Sequence, residues 1–241
     1  MGTYSEYFAT LPADVTGYIA SDTATAIAAC LSVQDAHEIR GSIAEIGVYH
    51  GKTFLGLARA TRPDETIVGV DTFSYGQEHF RQNFQANTEK HLTREQRERI
   101  RLYTGLSQEL RPIGWQDLLQ RPARLVHIDG GHSREAVLHD FRLAVSFLAE
   151  KGIIVFDDFF NCPFPDVTTG IIDALRSTPA IRPIAIIPGP AEAKIGSAKL
   201  IAGHVGSGLA VYEQALVDRL NLRHARRPFA GSENVCCFVR L

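Results

Sequence analysis

A doubly wound, mostly parallel α/β sheet in one domain spanning residues 1–241 is the fold class the sequence predicts, on two observations. The first is a repeated unit: a short apolar run ends in a small or acidic residue and is followed by a helical pattern. The runs lie at 42–47, 66–71, 100–105, 124–129 and 152–157. Near-continuous Ile, Val and Leu over such lengths suits strands buried on both faces of a parallel sheet. The second is the alternation, with helical segments at 52–61, 76–90, 106–120, 133–150 and 168–177. That is the strand–helix order of a doubly wound sheet. In 133–150, Ala136, Val137, Phe141, Val145 and Leu148 form an apolar stripe, and Ser133 is placed to cap the helix.

The ends depart from this order. Residues 1–40 form a helical preamble, Ala-rich from Thr23 to Leu31, suited to a lid or a dimer contact in a homo-oligomer. Residues 161–241 offer strands at 183–188, at 198–203 or 207–213, and at 234–240, with a helix near 213–222. An antiparallel C-terminal strand pair at one sheet edge is expected, and 188–196 reads as a mobile loop.

Composition excludes several classes. With 25 basic and 27 acidic side chains and a net charge of −2, nucleic acid is not an expected partner. No apolar run approaches the ~18–20 residues of a membrane span. Residues 1–18 lack the basic start and apolar core of a secretion signal, so the expected location is the cytoplasm. Cys30, Cys162, Cys236 and Cys237 do not make a disulfide framework in a chain this long, and the adjacent pair reads as buried hydrophobes. Arg94 to Arg99 reads as a solvated helix face, and Arg223, Arg226 and Arg227 as a small basic patch.

The first strand runs into Glu45, Gly47, Gly51, Lys52 and Thr53. A phosphate loop needs four residues between its glycines, and Gly47 and Gly51 enclose three. A dinucleotide fingerprint is also absent. The nucleotide-hydrolase and nicotinamide readings are therefore alternatives that need repair. Glu-x-Gly-x-x-x-Gly after the first strand, with Asp71 ending the second, resembles the cofactor loop of class I S-adenosylmethionine-dependent methyltransferases. That resemblance implies a Rossmann-like sheet of seven strands. It implies that Gly47 and Gly51 admit the methionine and ribose portions, that the helix N-terminus at Lys52 and Thr53 binds the carboxylate, and that Asp71 accepts the ribose hydroxyls. Gly105 and Ser107 would line the adenine, where Leu106 replaces the acidic residue frequent in the family.

A second cluster follows. Asp129 and Asp157 end strands that should be neighbours, with Asp158 beside them and His132 three residues after Asp129. Converging carboxylates repel one another and need a cation, and hard oxygen donors favour Mg²⁺ or another divalent ion. The pattern resembles the metal-dependent small-molecule O-methyltransferases, nearest the macrolide-sugar and natural-product type and related to the catechol type. It implies Asp129, Asp157 and Asp158 as metal ligands, Asp129 also at the cofactor and the reacting centre, and His132 as general base. The acceptor would be a small-molecule hydroxyl, such as that of a sugar or a vicinal diol. The resemblance spans 41–160, leaving 161–241 to shape the acceptor side. His127 reads as a packed core histidine. Trp115 and Tyr49 read as core or surface aromatics rather than cofactor contacts. Asn161, Phe159 and Phe160 read either as the border of an acceptor pocket or as loop packing. A non-catalytic binding scaffold is the remaining alternative, disfavoured by the retention of three mutually repelling acids.

Overall fold

The computed structural model describes residues 2–74, 79–189, 197–206 and 208–240. Two helices, α1 (Tyr4–Thr10) and α2 (Ser21–Ala36), precede the first strand. The alternating part follows as β1 (Ser42–Ile46), α3 (Lys52–Ala60), β2 (Ile67–Asp71), α4 (Phe80–His91), α5 (Arg94–Glu98), β3 (Ile100–Thr104), α6 (Pro112–Leu119), β4 (Ala123–Ile128), α7 (Arg134–Ser146), β5 (Leu148–Phe159) and α8 (Pro165–Ser177). The C-terminal part is β6 (Ile181–Ile187), β7 (Ala198–His204), α9 (Leu209–Arg219), β8 (Arg223–Phe229) and β9 (Ser232–Val239).

Among the described residues these strands form one nine-stranded sheet in the order β3-β2-β1-β4-β5-β7-β6-β9-β8. β1 to β5 pair in parallel, β7 runs antiparallel between β5 and β6, β9 is parallel to β6, and β8 returns antiparallel to β9. The predicted fold class stands, with one correction: the sheet has nine strands rather than seven. The expected antiparallel pair at one sheet edge is β9–β8, and a further reversed strand, β7, lies inside the sheet. β8 escapes sequence reading because Arg223, His224, Arg226 and Arg227 are exposed and leave no apolar pattern. Charge along an outermost strand discourages further pairing.

Side chains alternate between the two faces. Along β5, Ile153 and Val155 join one core with Ile27 and Leu31 of α2, Phe54 of α3 and Leu216 of α9, while Ile154 and Phe156 join another with Trp115, Phe141 and Ile171. The preamble is thus part of a helical layer. Arg124, fully buried, binds Glu65 Oε2 at 3.1 Å and donates to Gln34 Oε1 at 2.5 Å, tying α2 to the sheet end opposite the glycine loop.

Several boundaries move. The predicted helix 106–120 is a single 3₁₀ turn at Ser107–Glu109 followed by α6, whose start is set by Pro112 in the first turn. The predicted 133–150 helix ends at Ser146, so Leu148 of its stripe opens β5. Ser133 does cap α7, accepting from the Ala136 amide at 3.2 Å. Of the strand alternatives, 198–203 is the strand, and 209–213 belongs to α9. Residues 76–78 of the predicted 76–90 helix, 190–196 of the loop and residue 207 lie outside the described residues.

Candidate active site

Parallel strands end together, and the segments that follow β1, β2, β4 and β5 share one rim of the sheet. The glycine loop there is gripped by β2. Asp71 Oδ2 accepts from the amides of Val48 and Tyr49 at 2.7 and 2.8 Å, and Oδ1 accepts from the Phe73 amide at 2.6 Å. Gly47 has φ +90°, and a Cβ there would stand 1.7 Å from the Asp129 carbonyl oxygen. Gly51, at φ +91°, opens α3, and a Cβ would meet the Phe84 ring at 2.9 Å. Both glycines are needed for backbone conformation and close packing within the protein. No side chain caps α3, so the first-turn amides at Lys52 and Thr53 have no side-chain acceptor.

Glu45 lies beneath the loop rather than facing outward. It is 2% exposed, and its Oε1 is 2.7 Å from Nδ1 of His127, itself 1% exposed. Burial, with Asp129 and Asp71 nearby, holds the Glu45 carboxyl well above its usual range, and burial beside Lys199 holds His127 well below. This hydrogen-bonded pair makes a floor for the site. His127 is the packed histidine the sequence suggested. Ser107 is buried at the start of the 3₁₀ turn, and the Gly105 amide donates to the Asp71 carbonyl at 3.0 Å. Trp115 is fully buried in the core, while Tyr49 packs with Tyr18, His50 and Phe80 over the glycine loop.

β4 and β5 carry the acids. Pairing of β5 with β7 shifts register between Phe156, opposite Leu200, and Phe159, opposite Ala198, so Asp157 and Asp158 together stand against Lys199. This β-bulge re-aims the two side chains in different directions. Asp157, 7% exposed, forms an ion pair with Lys199, 4% exposed, and its Oδ1 accepts from the Asp158 amide at 2.6 Å. Asp158, at φ +56°, turns to the other side: Oδ1 accepts from Asn161 Nδ2 at 2.7 Å, and Oδ2 lies 3.1 Å from His132 Nε2. The His132 ring stacks on Phe164 at 3.8 Å and 10°. Its hydrogen bond to Asp158 raises the His132 pKa above the usual value. Burial pushes Asp129 up to about 7, opposed by Lys199, and pulls Lys199 down to about 8, where Asp129 and Glu45 help keep it an ammonium at neutral pH.

The three aspartates predicted as one ligand set are therefore not gathered as one. Their donor atoms fall within 4.8 Å only in two overlapping groups, His127–Asp129–Asp157 and Asp129–His132–Asp158. Lys199 stands against Asp157, so a divalent ion on that carboxylate would adjoin a buried ammonium. Like unit charges at 4 Å repel by about 4 kcal/mol even at an effective dielectric of 20. As arranged, the residues do not fit an ion held jointly by Asp129, Asp157 and Asp158. Lys199 and Phe164 are the groups that sequence reasoning missed. The available signal for Lys199 was a lone cation inside the apolar run 198–203. Asn161 holds Asp158, Phe159 is core, and Phe160 is 57% exposed.

A Rossmann-like sheet with a reversed seventh strand and a polar rim beside a glycine loop is the architecture of class I methyltransferases. Residues 44–159, which contain that loop and rim, match the family model described as "Methyltransferase domain". A search of curated proteins gave no match. Among solved structures, an O-methyltransferase from Bacillus cereus in complex with SAH is similar at 16% identity and TM-score 0.57, covering 84% of this chain and 91% of that one. TomG from Streptomyces achromogenes, an O-methyltransferase involved in tomaymycin synthesis and in complex with SAM, is similar at 15% identity and TM-score 0.55, covering 86% and 91%. At these identities the likeness concerns the fold. No helix among the described residues is long and apolar enough to cross a membrane.

Proposed function

We propose that the protein transfers a methyl group from S-adenosylmethionine to a hydroxyl of a small molecule. The observation that carries this reading is the His132–Asp158 pair beside the glycine loop locked on Asp71, at the rim where α/β sheets bind ligands. The two similar structures named above are of O-methyltransferases in complex with SAM or SAH, which supports the choice of donor. Lys52 and Thr53 would meet the methionine end through backbone amides, Gly47 and Gly51 would shape the loop around it while their own amides donate to Val70 and Val48, Asp71 would receive the ribose hydroxyls on its remaining lone pairs, and Gly105 and Ser107 would border the adenine. Glu45 acts through His127 as support.

In the reaction His132 Nδ1, the ring nitrogen not bonded to Asp158, takes the proton of the acceptor hydroxyl, the oxygen forms its bond to the methyl carbon as the sulfur–methyl bond breaks, and neutral S-adenosylhomocysteine leaves. Asp158 steadies the imidazolium that results, while Phe164 and Asn161 fix the pair in place. Most of the acceleration comes from alignment and exclusion of water. A sugar, catechol or polyketide hydroxyl suits the half-buried His132. The test is release of S-adenosylhomocysteine over a panel of such acceptors. Turnover is expected with at least one of them, and His132→Ala should lower kcat ~10²–10⁴-fold while sparing donor affinity. Unchanged kcat in that variant would remove His132 from the reaction.

A further inference from the structure

We propose that Lys199 is itself the cation around which these acids are assembled, and that methyl transfer in this protein runs without a divalent metal. The inference rests on the methyltransferase reading and deepens it. Converging carboxylates need positive charge, and the expectation of Mg²⁺ came from that need and from the resemblance to metal-dependent O-methyltransferases. The fold meets it internally. β7 delivers Lys199 into the rim, with Leu200 and Ala198 on either side locked by pairing to Phe156 and Phe159. The ammonium is 4% exposed and ion-paired with Asp157.

Glu45, His127, Asp157 and Lys199 have the strand parity of one sheet face, with Asp129 at its end, so the lysine closes a row running across β1, β4, β5 and β7. Asp158 is turned out of that row to His132 and Asn161. The two acids following Phe156 thus have separate partners, one a fixed ammonium and the other the proposed base. Lys199 is a positioning residue: it holds Asp157, whose Oδ1 accepts the Asp158 amide and so sets the direction of the carboxylate that orients His132. No bond is made or broken at Lys199 when the acceptor proton passes to His132.

The experiment is calorimetric titration of the full chain with MgCl₂, alongside binding of S-adenosylhomocysteine and melting with and without EDTA. The proteins are wild type, Asp157→Asn, Asp129→Asn, Lys199→Met and the charge-balanced double variant Lys199→Met/Asp157→Asn. The wild type should show no Mg²⁺ binding at millimolar concentration and no change of melting temperature with EDTA. Lys199→Met should gain Mg²⁺ affinity by about 10-fold or more, because Asp129 and Asp157 lose their cation. A lysine with only a structural role would not produce that gain. The double variant should stay folded and silent to Mg²⁺, so the wild type and the double variant decide the matter if Lys199→Met does not fold.

Wild-type Mg²⁺ binding weakened about 10-fold or more by Asp157→Asn or Asp129→Asn would overturn the proposal. Mg²⁺ binding that neither substitution alters lies at another site and leaves Lys199 as the cation of this one. Loss of S-adenosylhomocysteine binding in a folded, Mg²⁺-silent wild type would instead count against the methyltransferase reading, so the two failures are distinguishable.

Discussion

A histidine serves as a base only above its own pKa, and Asp158 raises that of His132 by accepting its hydrogen bond. The acid limb of kcat/KM should then fall above the ordinary histidine value of about 6.5, with rate rising through it as His132 loses its proton. Asp158→Asn, which suits the φ of +56° at this position, should move that limb down toward 6.5 in a pH–rate profile. A limb that does not move would separate the two residues functionally. The same pair has a stability consequence with a definite sign. A raised histidine pKa means the folded state holds its proton more tightly. The stabilisation is therefore complete below the unfolded value and is lost as pH rises through the folded one. His132 is one-third exposed, so the effect should stay under about 1 kcal/mol. Urea melts of Asp158→Asn should show more destabilisation at acid pH than at alkaline pH.

At the scale of elements, the glycine loop and the β5 bulge show what spacing reveals and what it hides. Gly47 and Asp71 were legible as a loop and a strand-end acid. Their arrangement was not: Asp71 grips the loop amides, and the space a Cβ would take at Gly47 belongs to Asp129. Gly47→Ala combines a left-handed backbone with that overlap. It should cost about 3 kcal/mol or more and weaken S-adenosylhomocysteine binding, read by thermal melting and calorimetry. A variant as stable as wild type would mean the loop has room that the geometry denies. The Asp157–Asp158 pair was visible as two acids at a strand end. Its division between Lys199 and His132 depends on an antiparallel register with β7, far along the chain, which no local pattern encodes. α8 was visible, but Phe164 at its N-cap gave no sign that it would stack on His132.

Across the whole molecule, the central strands were readable because burial on both faces demands continuous apolar runs. The added edge was readable in part: β9, with its buried pattern at Val235, Cys236 and Phe238, was expected at 234–240, while β8 is exposed and charged and left no pattern. The preamble was legible as helix but not as a structural layer, because its ties to the sheet are long-range. Arg124 is the plainest of these. Arg124→Met removes one of two guanidinium partners of the buried Glu65, Arg62 remaining, and should cost about 1–3 kcal/mol in urea unfolding, whereas Glu65→Leu leaves Arg124 a buried charge without a carboxylate and should cost about 3–5 kcal/mol. Equal losses in both variants would show that the pairing itself is immaterial. The account as a whole turns on what the rim beside Gly47 and Asp71 binds. Calorimetry of the wild type with S-adenosylmethionine, ATP and NAD, each with and without Mg²⁺, tests this most directly. The account predicts binding of S-adenosylmethionine alone, unaffected by Mg²⁺ and lost in Asp71→Ala. Binding of ATP or NAD in its place, or S-adenosylmethionine binding indifferent to Asp71, would contradict it.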